Sequence, residues 1–263
     1  MKVNVFSATC ITNLHVGNGE VNYNIIDQEV EKDPVTGIPM INSSGVKGAI
    51  REFFESQWGM DDSRIKAYFG GANGSESVQG SYKFLQMDML FRPLRVTDDS
   101  DKTYILATTA KVLKDYIEKI DMLSGKKDQD SVTCKGIDDL GIFDETPTND
   151  EYTIEGESDG FTLKKLSGSW RTFTTDTVAI INNLNSYDLP VIARNVLDDN
   201  GISKNLWYEE FVPHKSVFSL IILTPEEMDN DFKEMLTKTP VQFGGNASIG
   251  YGLMDIKEVK ENE

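Results

Sequence analysis

The sequence predicts an α+β domain in which strands carry a few amphipathic helices and a projecting hairpin. Three observations lead there. Apolar runs with strand character stand at both ends and in the middle of the chain, at residues 1–12, 82–96 and 253–259. Val46, Ala49, Ile50, Phe53 and Phe54, and later Val112, Leu113, Tyr116, Ile117 and Ile120, recur at helical spacing. Two further strand-like runs, 190–197 and 203–208, flank Asp198-Asp199-Asn200-Gly201, a strong turn sequence.

The first strand, 1–12, mixes Val3, Val5, Phe6 and Ile11 in a pattern that suits partial burial on both faces. Residues 14–20 then turn, with Gly17 and Gly19 marking backbone that needs positive φ or close approach. His15 in that turn can contact a phosphate or a base, or serve structurally; the residues alone leave both open. Asp27 follows Ile25-Ile26 and precedes Glu29, Glu31, Lys32 and Asp33, where one solvated carboxylate among several is the plainer reading. The turn Asp33-Pro34-Val35-Thr36-Gly37 leads through the apolar residues 38–41 to the first helix. There Ser43 and Ser44 are good N-caps, Gly45 allows close approach, and Lys47 and Arg51 lie on one side. This helix start can bind an anion or be an ordinary capped end with two solvated cations, and composition favours the latter. The spacing of a P-loop is absent.

Beyond the helix, 65–71 reads as a turn-like segment and 74–80 as a loop. Arg92 and Arg95 flank Pro93, where either solvation or backbone contact explains them. A second helix is expected over 108–123. Residues 125–160 crowd eleven Asp and Glu into a stretch without periodicity, which reads as an acidic insertion. Thr224-Pro225-Glu226-Glu227 has the cap, proline and glutamate of another helix start. A glycine-rich loop, Gly244-Gly245 to Gly250-Tyr251-Gly252, precedes the last strand and can press its backbone against a phosphate chain or simply turn tightly.

Composition bounds the function classes. With 263 residues, 39% hydrophobic and 26% charged, the chain is expected to be soluble and to form one elaborated domain or two. It has no apolar run long enough to cross a bilayer, no signal-peptide core after Met1-Lys2-Val3-Asn4, and only Cys10 and Cys134, so a reduced, cytoplasmic protein is expected. A net charge of −17 opposes nucleic-acid binding. Its distribution softens the objection: residues 1–95 hold nine Lys/Arg against eleven Asp/Glu, a net of −2, and the remaining seventeen against thirty-two carry −15.

Three blocks together resemble the RAMP superfamily of CRISPR proteins: the His15-Val16-Gly17-x-Gly19 turn leading to Asp27-Gln28, the Ser-Ser-Gly-Val-Lys-Gly-x-x-Arg core ending at Arg51, and the late glycine loop. Leu206-Trp207-Tyr208-Glu209-Glu210-Phe211-Val212-Pro213 most resembles the repeated backbone subunit of type III-B, or Cmr, effector complexes. The resemblance implies a single domain over 1–263 with a modified ferredoxin-like, RRM-related palm, the acidic insertion at 125–160, and a thumb hairpin at about 176–213. It implies copies stacked along a CRISPR RNA, partnered by other subunits including a large polymerase-like one, with each thumb displacing a nucleotide of the guide–target duplex and target RNA cut at that kink. Asp27 occupies the place of the family's acid, in a cleavage that depends on a divalent metal, Mg²⁺, whose ligands the sequence does not reveal. His15, Gly17, Ser43, Ser44, Lys47, Arg51, Arg194, Gly244, Gly245 and Gly250 form the implied RNA-binding set. Glu29 and Glu31 make the surroundings of Asp27 more acidic than an RNA channel favours. Alternatives are a non-catalytic scaffold of the same fold, a III-A equivalent, and a stand-alone ferredoxin-like enzyme or anion binder.

Overall fold

A computed structural model describes residues 1–19, 25–73, 76–95, 103–125, 142–143, 161–165, 168–174, 178–181 and 189–259. The fold is mixed α/β around one large sheet. Its strands run in the order Val241–Gln242 (β15), Leu253–Glu258 (β16), Lys2–Cys10 (β1), Val217–Thr224 (β14), Met87–Arg95 (β6), Tyr104–Thr108 (β7), Val178–Ile181 (β11) and Ile142–Phe143 (β8). Met40–Ile41 (β2) adds to β6, and Lys83–Phe84 (β5) to β14. Three two-stranded hairpins stand off the sheet: Gly70–Asn73 with Glu76–Gln79 (β3, β4), Phe161–Lys165 with Gly168–Thr174 (β9, β10), and Val191–Leu197 with Ser203–Glu210 (β12, β13).

β1 lies between β14 and β16, antiparallel to both, with Phe6 opposite Leu220 and Ala8 opposite Ile256. Its consecutive buried residues follow from helices on both faces. Phe6, Ala8 and Cys10 belong to a core with Val46, Ile50 and Phe54 of Ser43–Trp58 (α1), Phe69 of Ser63–Phe69 (α2), and Phe232 and Leu236 of Asn230–Lys238 (α4). Val5 joins a second core, formed with Leu113, Tyr116, Ile117 and Ile120 of Ala110–Ser124 (α3). The Phe54 and Phe232 rings stack 4.2 Å apart and lock α1 to α4.

Several boundaries differ from the sequence reading, each for a local reason. The cap of α1 is Asn42: Ser43 is already helical, and the Asn42 side chain accepts from the Ser44 N–H at 3.1 Å. Residues 63–69 form α2, capped by Asp62, with only Ile65 and Phe69 buried to signal its period. The stretch read as a loop at 74–80 contributes β4, and β3–β4 closes where Gly70, at φ +81°, crosses against Gly80; a Cβ on Gly70 would sit 2.6 Å from the Gly80 nitrogen. Thr224 stays in β14 opposite Lys2 and donates its hydroxyl to the Glu226 carbonyl at 2.6 Å, so the next helix waits for Asp229, whose carboxylate caps Phe232 N–H. Arg92 is buried in β6 opposite Ala107, while Arg95 is exposed. Val178–Ile181 pairs in parallel with β7, so the projecting hairpin is narrower than 176–213. The acidic insertion lies outside the described residues except for Gly125 and the β8 pair.

Replacing Asn42 with alanine is expected to cost about 1 kcal/mol in urea unfolding, while Ser43→Ala and Ser44→Ala stay within about 0.5 kcal/mol. Equal losses at all three positions would move the cap off Asn42.

Candidate functional site

Two glutamates at the end of β13 gather the site. Adjacent strand residues point to opposite faces, and both Glu209 and Glu210 are buried, at 1% and 3% exposure, so each needs its own partners. The Glu210 carboxylate accepts from the Val30 N–H at 3.1 Å and pairs with the Lys32 ammonium at 2.9 Å. Its backbone N–H donates to the Gln28 carbonyl, and its carbonyl accepts at 2.7 Å from His15 Nδ1, which therefore carries the proton. The Glu209 carboxylate accepts from the Asn246 amide at 2.6 Å and pairs with the Arg194 guanidinium at 3.1 Å. Arg194 also sits 5.2 Å over the Tyr251 ring. These bonds join the 14–17 turn, the 25–32 segment, the hairpin base and the glycine loop into one cluster.

Asp27 rides on that cluster. Its Oδ2 accepts from the Tyr208 N–H at 2.8 Å, and the N–H groups of Asp27 and Gln28 both donate to the Tyr208 carbonyl at 3.1 Å. The side chain is exposed, and its second oxygen has no hydrogen bond among the described residues. An exposed carboxylate held by one oxygen keeps the other for a proton or a hydrated cation.

The start of α1 connects to the same cluster. The Glu31 carboxylate accepts from the Asn42 N–H at 3.2 Å, Glu31 N–H donates to the Val16 carbonyl at 2.7 Å, and the neighbouring His15 carbonyl accepts from Gly245 N–H at 2.9 Å. Gly244, at φ +71°, lies so close to His15 that a Cβ there would strike the His15 carbonyl. The helix start and the glycine loop are thus joined by a short series of bonds through Glu31 and the His15 turn. Glu31, read as unfavourable to RNA, lies beside the helix end that sequence reasoning marked for an anion.

The sequence-predicted residues therefore fall into four groups. His15, Gly17, Arg194, Gly244 and Gly245 converge at the hairpin base below Asp27, with Gly17 packed against the His15 ring. Ser43, Ser44 and Lys47 lie on the first turns of α1, where Lys47 is exposed and Ser44 is tied to Asn42. Gly250 is exposed at the far end of the 3₁₀ turn Ala247–Ile249. Arg51 binds Glu55 at 2.7 Å and the Gly70 carbonyl at 3.0 Å, pinning α1 to β3. Lys32, Glu209, Glu210 and Asn246 were missed as organisers of the site. Two acids directly after Trp207-Tyr208 were the available hint, but nothing local tells a buried pair from a solvated one.

Among the described residues no cluster of three or more His, Cys, Asp or Glu could cage a metal. The RAMP superfamily pattern matches residues 7–255. The chain is similar to the CRISPR system Cmr endoribonuclease Cmr4 of Pyrococcus furiosus, at 25% identity over 295 residues covering 100% of this chain and 98% of the relative. Its fold is similar to that of a chain in the type III-B Cmr-beta apo structure, with a TM-score of 0.71, 20% identity, and 97% and 96% of the two chains covered. A chain of Cmr-beta bound to cognate target RNA matches with a TM-score of 0.66, 21% identity, and 98% and 97% coverage.

Glu210→Ala, which strands Lys32 and the Val30 N–H, is expected to destabilise the protein by about 3 kcal/mol and to speed amide exchange at Val30. Unchanged stability and exchange would show that Glu210 does not hold the 25–32 segment.

Proposed function

The chain belongs to the RAMP superfamily, and from that premise we propose that it is the repeated backbone subunit of a type III-B, or Cmr, CRISPR effector complex, binding CRISPR RNA and cutting complementary target RNA. The observation that carries this reading is an exposed carboxylate, Asp27, fixed to the base of an exposed apolar hairpin. The full-length likeness to a named Cmr endoribonuclease and the fold match to a complex holding target RNA support it.

The fold is then a modified ferredoxin-like palm, and β12–β13 is its thumb. Leu197 and Ile202 crown the hairpin at 58% and 63% exposure, an apolar wedge suited to entering a base step. A base step opened there leaves one nucleotide unstacked, with its linkage beside the hairpin base. Its 2′-oxygen can then attack the adjacent phosphorus in line, forming the 2′-O–P bond as the P–O5′ bond breaks. Asp27 accepts the proton of the 2′-OH and holds the sugar against the hairpin base. A divalent cation such as Mg²⁺ fits this single carboxylate when phosphate oxygens and water complete its shell, and there it would offset phosphate charge.

The guide backbone lies along the first turns of α1, with Lys47, and along the glycine loop. Stacked copies and the other subunits, the large polymerase-like one among them, cover much of the remaining acidic surface. Among the described residues no helix is long and apolar enough to cross a membrane. One observation favours a non-catalytic scaffold: among the described residues no second acid or base bonds to the Asp27 side chain.

Reconstituted complexes carrying Asp27→Ala separate the readings. Target cleavage is expected to fall by about 10²–10⁴-fold with guide and target binding unchanged; regular cuts at the wild-type rate would leave the scaffold. Lys47→Glu is expected to weaken guide binding and to shrink the slope of log affinity against log salt by about 0.7. An unaltered slope removes Lys47 from the track.

A further inference from the structure

We propose that the Tyr208 ring is the platform on which the base beside the scissile linkage stacks, making Tyr208 a positioning residue for target cleavage; the inference rests on the RNA-cutting function above. Side chains alternate along β13, so Glu210, Tyr208 and Leu206 share one face, while Glu209 and Trp207 share the other with Arg194. Glu210 is buried and Tyr208, two residues up the same face, is 40% exposed. Along β13, Tyr208 is thus the first solvent-facing side chain of that face above the root of the hairpin.

Its neighbour Trp207 turns to the opposite face, is half-buried, and stands across from Arg194. Tyr208 makes no aromatic-ring contact and no hydroxyl hydrogen bond among the described residues, so folding of the subunit leaves part of its ring open to solvent without a stacking partner. The register places Val191, Ala193, Asn195 and Leu197 on the same face, which makes Tyr208 the one aromatic in an otherwise mostly aliphatic, exposed ladder. An aliphatic tip can part a base step, whereas a flat ring can hold a parted base.

Position supplies the link to chemistry. The backbone unit that carries the ring also donates to the Asp27 carboxylate and accepts from Asp27 and Gln28 N–H. Ring and acid therefore move as one body. A base seated on the ring brings its own sugar towards the free oxygen of Asp27. Stacking accepts any base, as it must where pairing with the guide reads the sequence and the protein meets every sequence alike.

The test uses assembled complexes bearing wild-type, Tyr208→Phe, Tyr208→Leu or Tyr208→Ala copies, with 2-aminopurine placed in the target beside the cut. Expected are normal assembly and guide binding in all four, and single-turnover cleavage slowed about tenfold to a hundredfold by Tyr208→Ala and Tyr208→Leu. Tyr208→Phe should restore the rate, and 2-aminopurine emission should be quenched in wild type and Tyr208→Phe but released in the other two. Wild-type cleavage or unchanged emission in Tyr208→Ala and Tyr208→Leu overturns the platform. So does failed assembly of the folded Tyr208→Leu subunit, which would assign the ring to a protein contact. If wild-type complexes bind target and never cut it, the proposed function falls, while the emission comparison still decides whether a base stacks on Tyr208.

Discussion

Two charges that cannot stay unpaired shape this molecule. Glu209 and Glu210 are buried back to back at the root of the hairpin, and an isolated carboxylate in such a place costs several kcal/mol. Because a strand sends neighbours to opposite sides, the donors must come from two directions. Lys32 and the Val30 N–H arrive from one, and Arg194 and Asn246 from the other. The hairpin thus projects from the sheet yet keeps a fixed root. Asp27, attached to Tyr208 by two hydrogen bonds and braced by a third from the Gln28 N–H, inherits that fixity while remaining open to solvent.

The same pairings bear on how an acidic protein can present the proposed RNA path. Several cations near the site are already engaged within the subunit: Lys32 with Glu210, Arg194 with Glu209, and Arg51 with Glu55. They set the shape of the surface rather than its charge. What faces outward is Lys47, the glycine loop and the backbone around them. On the proposed function, binding of a guide rests on fit and on repetition along stacked copies, with the acid excess directed elsewhere.

Legibility followed the range of the deciding interaction. α1 and α3 were readable because five apolar residues each repeat on one face, and the hairpin because Asp198 to Gly201 can do little but turn. α2 was not, since Ile65 and Phe69 alone make a period indistinguishable from chance. The start of α4 was misplaced because Thr224, a fine cap in isolation, is held in β14 by β1. At the site, His15 and Asp27 were found through resemblance to a family. Glu209 and Glu210 were read as part of a motif, with no sign that they are buried.

By itself the sequence determined the α+β class, the two amphipathic helices, the hairpin turn and the family pattern, because each is written in residues a few positions apart. Tertiary structure alone decided which charges lie inside, which cations are consumed by them, and that the His15 turn, the Asp27 segment and the glycine loop meet at one root. Those outcomes depend on pairs such as Val30 with Glu210, separated by 180 positions, and on burial, which no short stretch of chain specifies.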